Sequence, residues 1–212
     1  MTCATLVLGM TAFLGCKSAY YGAWEKMGWA KRDILVDRVE DARDDQEAAK
    51  EQFKTTLEQF QALTGFKGGD LEAKYKKLNG AYEECADRAE TVSERIKAVD
   101  SVAQDMFSEW KQELQQYESA ELRRNSEQKL EQTQGRYKEL MAVMRKSEAS
   151  MQPVLWAFKD QVLFLKHNLN AQAIASLQTT ATEIDQDVQQ LIREMEASIA
   201  EANEFIGQIR GE

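Results

Sequence analysis

The chain offers few side chains able to do chemistry. One histidine, His167, and three cysteines, Cys3, Cys16 and Cys85, are the whole supply of soft metal ligands and strong nucleophiles in 212 residues. A di-iron centre in a helical bundle needs a Glu-x-x-His on each of two helices. Phe164 stands three before His167, so that pattern fails, and zinc lacks the several Cys or His ligands it requires. No phosphate-cradling glycine loop, Gly-x-Ser-x-Gly or His-Glu-x-x-His occurs. A Cys85–His167 dyad is disfavoured, because the two lie on different parts of an extended helical pattern. The acidic run from Glu40 to Glu51, with Asp41, Asp44, Asp45 and Glu47, could be imagined around a divalent cation. The simpler reading is a solvated helix face, partly offset by Arg43 and Lys50. The expectation is a chain without catalysis, cofactor or metal.

The remaining chemistry is covalent lipidation. Ala4 to Leu14 is apolar apart from two threonines. At about eleven residues it is too short to span a bilayer, which takes about 20, but it suits a signal-peptide core. Phe13-Leu14-Gly15-Cys16 follows and resembles a bacterial lipobox. The resemblance implies cleavage after Gly15 and diacylglycerol on the Cys16 sulfur. The competing readings are an ordinary cleaved signal or a buried N-terminal helix. With Cys3 removed and Cys16 blocked, Cys85 would stand alone as a small core residue. By resemblance to enterobacterial lipoproteins, the absence of aspartate after Cys16 favours the outer membrane, with the protein facing the periplasm of a Gram-negative envelope.

Tyr20, Tyr21, Trp24 and Trp29 crowd close to this anchor. Tyrosine and tryptophan suit the headgroup zone, where one end is apolar and the other wet. Residues 16–30 are therefore read either as a juxtamembrane segment or as ordinary bundle core. The chain divides into residues 1–15 as signal peptide, 16–30 as anchor and 31–212 as one helical domain.

The elements follow from hydrophobic periodicity. Leu71, Tyr75, Leu78, Tyr82, Cys85, Ala89, Val92, Ile96, Val99, Ala103, Met106 and Trp110 alternate steps of four and three, a heptad seam. A second such seam runs Leu130, Thr133, Tyr137, Leu140, Met144, Ser147, Met151, Val154, Phe158. A third runs Leu177, Ile184, Val188, Leu191, Met195, Ile199, Ala202, Ile206, Ile209. The first helix reads Leu35, Val39, Ala42, Ala49, Phe53, Leu57, Phe60, and its alanines and Gln46 predict a thin stretch. The sole proline, Pro153, predicts a kink or restart near Ser150. Breaks fall at Thr64–Gly69, Glu118–Ala120 and His167–Asn170, and Asp70 is placed to cap the second helix. Short connections between long helices give an all-α, elongated antiparallel four-helix bundle. With 36 acidic against 27 basic residues, the net charge of -9 excludes a nucleic-acid binder, which needs a basic face. An apolar fraction of 43% is enough for a core.

Three stretches resemble a known family: Lys31-Arg32-Asp33-Ile34-Leu35-Val36-Asp37-Arg38-Val39-Glu40-Asp41-Ala42-Arg43-Asp44, Gly68-Gly69-Asp70-Leu71-Glu72, and Asp160-Gln161-Val162-Leu163-Phe164-Leu165-Lys166-His167-Asn168-Leu169-Asn170-Ala171. The family is a set of bacterial lipoproteins catalogued as domain of unknown function 2959. The resemblance implies a helical, exported protein and brings no catalytic residues. The far turns, with Phe66, Lys67, Lys166, His167, Asn168 and Asn170, are read either as plain capped turns or as a tip that binds another envelope component. The expected role is a membrane-anchored structural or interaction lipoprotein, whose partner is an unknown cell-envelope protein or a second copy through helical faces. The alternative is a coiled-coil protein that polymerises on membranes, similar to phage-shock and ESCRT-type hairpins, a flavour carried by Gln190–Glu196.

Overall fold

The computed structural model describes residues 31–65, 68 and 70–211. Cys16, Gly15, Tyr20, Tyr21, Trp24, Trp29, Phe66 and Lys67 lie outside them. Among the described residues the elements are α1 (Lys31–Thr64), α2 (Leu71–Glu113), a single 3-10 turn (Leu114–Gln116), α3 (Ala120–His167) and α4 (Ala171–Gly211). At about 1.5 Å per residue, α3 alone is roughly 70 Å long. α1 packs on α2 and α4, and α3 packs on the same two, so α1–α3 and α2–α4 are the diagonals of a four-helix bundle. The architecture is the all-α antiparallel bundle expected from the seams.

The seams fold as their period dictates. All nine positions of the third-helix seam are buried, Thr133 and Ser147 included. In α2, Leu78, Cys85, Val92, Ile96, Val99 and Ala103 are buried, while Leu71, Tyr75, Tyr82 and Trp110 pack against the core edge. The thin stretch of α1 is real core: Ala42, Gln46 and Ala49 are each fully buried. Phe60 and Phe158 meet across the α1–α3 diagonal, edge to face with ring centroids 6.4 Å apart. Burying such aromatics gains roughly 1.5–3 kcal/mol each over leaving them in water.

One of the two alternatives at Pro153 is excluded, and one seam member is corrected. α3 runs unbroken through Pro153, with no restart near Ser150. Pro153 and Ala149, whose carbonyl loses its usual N–H partner, are both exposed, so water can take up the freed oxygen. In α4, Ile199 is only half-buried and Ser198 occupies the core position instead. After Met195 the helical period of 3.6 returns to the core at the third residue, and the hydrophobicity of Ile199 does not outweigh that geometry.

Helix ends are set by local hydrogen bonds. Asp70 accepts from the Ala73 N–H at 2.9 Å and caps α2, next to Gly68, whose φ of 146° favours glycine. Ser119 accepts from the Leu122 N–H at 3.3 Å and opens α3. At the other end of α3, Asn168 donates to the Phe164 carbonyl at 2.9 Å, and Asn170 accepts from the Ala173 N–H at 2.9 Å. One asparagine closes α3 and the other opens α4.

Candidate interaction surface

The far end of the bundle gathers the α1–α2 and α3–α4 turns. Of the tip residues expected from sequence, Asn168 and Asn170 are spent on capping, as just described. Lys166 and His167 are exposed in the last turn of α3, where a positive side chain complements the helix dipole. The turn is therefore a capped turn with a basic edge.

The larger surface feature lies beside it. Trp156 is 60% exposed, Leu163 46%, Phe164 40% and Leu169 40%. Trp156 and Leu163 are seven residues apart and share one outward face of α3, with Phe164 at its border. Lys159 and Lys166, also seven apart and exposed, flank the opposite border. The core residues of the same stretch, Val154, Phe158, Val162 and Leu165, point inward. The bundle thus consumes one stripe of α3 and leaves a second apolar stripe on the surface. An exposed large aromatic next to an apolar neighbour is a common anchor for a protein partner. The heptad spacing does not mark Trp156 and Leu163 as a surface. Their signal was there, because both fall off the Met151, Val154, Phe158 seam while being as apolar as its members.

Trp156 also edges an open groove of about 560 Å³ between α2 and α3. Tyr82, Ala86, Ala89 and Ala149 line its apolar part, and Glu90, Glu148, Arg145 and Lys159 line its polar part. A second groove of about 520 Å³ lies along the same seam toward the other end, around Tyr137 and Met141. There the Tyr137 hydroxyl donates to Asp100, which also accepts from Arg145 at 3.0 Å. That tyrosine bond, then the amide of Gln104 and the nearby Arg145 cation, hold the Asp100 carboxyl below its usual range despite some burial. Burial and the facing carboxylate push the Tyr137 hydroxyl well above the normal tyrosine range.

The acidic run of α1 is covered by cations. Arg95 reaches Asp45 at 2.7 Å and Asp41 at 3.2 Å from α2, and Arg210 reaches Glu40 at 3.0 Å from α4. Within α1, Lys50 pairs with Glu47 and Lys54 with Glu51, each at 2.7 Å. These carboxylates cross-link neighbouring helices. Among the described residues no three of His, Cys, Asp and Glu gather as a metal site would require. Cys85 is fully buried against α1, and burial pushes its thiol up to about 12, so it is held as an inert core thiol. No described helix is long and apolar enough to cross a membrane.

The model of the family described as "Protein of unknown function (DUF2959)" matches residues 20–209. The chain belongs to this family. Neither the curated proteins nor the solved structures contain a match to it. The match covers the three sequence stretches, and the family's description assigns no activity.

Proposed function

We propose that this family member is a non-catalytic lipoprotein, anchored through Cys16 and facing the periplasm, that presents the outer face of α3 to another cell-envelope protein. The outer membrane is the favoured site. The observation that carries the interaction role is the exposed strip of Trp156, Leu163 and Phe164, flanked by Lys159 and Lys166. It sits near the end of the bundle farther from Lys31, roughly 40–50 Å along the helices. A lipid at Cys16 would place the strip away from the bilayer, where a second protein can reach it. Two or more acyl chains on the processed N-terminus would anchor it stably.

A photo-crosslinking residue placed at Trp156, in cells, tests the reading. The expected result is a crosslink to a discrete envelope protein that is lost when Leu163 is changed to aspartate. A Cys16→Ala variant should leave the membrane fraction; one that stays bound would overturn the anchor. Rings or filaments of the unlipidated domain in sedimentation would instead favour the polymerising, membrane-remodelling alternative.

A further inference from the structure

We propose that Gln46, Ser147 and Ser198 form a buried hydration site that holds ordered water between α1, α3 and α4 in the middle of the bundle. All three side chains have no solvent exposure. The Gln46 amide oxygen and nitrogen and both serine hydroxyls make no hydrogen bond to the protein. Other hydroxyls in these helices behave differently. Thr56 and Thr133 donate back to the carbonyls of Gln52 and Lys129, at 2.9 Å each. That bond is the default for a hydroxyl inside a helix, and Ser147 and Ser198 do not make it.

The three groups lie within about one helical turn of a common level. Lys50–Glu196, at 4.0 Å, and Arg43–Asn203, at 3.0 Å, bracket Gln46 and Ser198 across the α1–α4 seam. Lys146 and Ser150 both reach Glu194, which lies one turn from Ser198, and they bracket Ser147 across the α3–α4 seam. Around this level the buried Ala42, Ala49, Ala89 and Ala202 stand among Val92, Met144 and Met195. Small side chains leave room, and the polar set offers what a water molecule needs: an acceptor oxygen, two amide N–H donors and two hydroxyls that can do either. A buried amide left dry would be among the most costly groups in the molecule. Ala89 also lines the open groove between α2 and α3.

The site has a consequence for specificity. Sliding one helix by a heptad would bring large apolar residues such as Val39, Phe53, Leu140, Val154, Leu191 or Phe205 opposite the polar groups, so only the observed stagger lets the three share water. Buried polar positions set register in coiled coils in this way.

Nuclear Overhauser transfer from water to the Gln46 side-chain amide, in the folded 15N-labelled domain, is the deciding measurement. The expected result is a cross-peak with the sign of water held longer than surface water, absent in Gln46→Met and reduced in Ser147→Val. No cross-peak in the wild-type domain overturns the site. The thermal midpoint gives a second arm that does not depend on the spectrum. A dry, unpartnered amide predicts that Gln46→Met raises the midpoint by about 2–4 °C or more. A hydrated site predicts an unchanged or lower midpoint, because the water loses partners, and a clear rise counts against the proposal.

Discussion

Two levels of the same bundle are built on opposite principles. At the Phe60–Phe158 level, large apolar rings interlock across the diagonal, flanked by Phe53, Leu63, Leu165 and Leu177, all fully buried. At the Gln46–Ser147–Ser198 level there are no rings among the described residues; alanines alternate with Val92, Met144 and Met195, and polar atoms face inward. The first level supplies burial energy and tolerates little loss of volume. The second supplies little burial energy and constrains which residues can stand opposite one another. A heptad seam hides this difference, because both levels satisfy the same spacing.

The sharpest way to break the contrast is Phe158→Ala. It removes a fully buried ring from the aromatic level and should cost about 3–5 kcal/mol, read as a lower urea midpoint. The equivalent cut at the polar level, Ser198→Ala, should change stability by far less. Pro153→Ala tests the segment between the two levels. It restores the bond to the Ala149 carbonyl, and because proline is about 3 kcal/mol worse than alanine inside a helix, the variant should be more stable by up to that amount. An unchanged melting temperature would mean that α3 has already absorbed the proline by bending.

Tyr137→Phe probes the neighbouring seam, where a polar pair is partnered. Loss of the bond to Asp100 should cost about 1–2 kcal/mol near neutral pH. Asp100 titrates below its unfolded value of 3.8, so its contribution is present above that pH and is lost as pH falls through the depressed folded value. In the variant this pH-dependent loss should be smaller and complete at a higher pH, which acid titration followed by circular dichroism can measure. Asn170→Ala removes the α4 cap and should cost about 1 kcal/mol, with faster amide exchange confined to the first turn of α4. The smallest effect on stability is expected for Trp156→Ala, within about 0.5 kcal/mol, because the side chain is mostly exposed. Its effect should fall on partner crosslinking, which separates the inner stripe of α3 from the outer one.

Much of this molecule is legible in its residues. The helix count, the order, the seam members and the capping roles of Asp70 and Asn170 follow from period and side-chain type, because a long amphipathic helix has one way to hide its stripe. The exposed apolar strip of α3 was less legible. Trp156 and Leu163 differ from core residues in position, not in type, and heptad spacing marks only the residues that obey it. The acidic run of α1 also read differently alone, since Arg95 and Arg210 that pair with it are distant in sequence.

The sequence by itself determined that four long helices form, where they end and which stripe each buries, since these are local properties of spacing and propensity. Only the tertiary structure decided that Ser198 displaces Ile199 from the core and that Pro153 lies within an unbroken helix. It also decided which polar side chains meet at one level. The physical reason is common to all three. Each depends on the rotation and stagger of one helix against another, and that is set by the packing of the whole bundle.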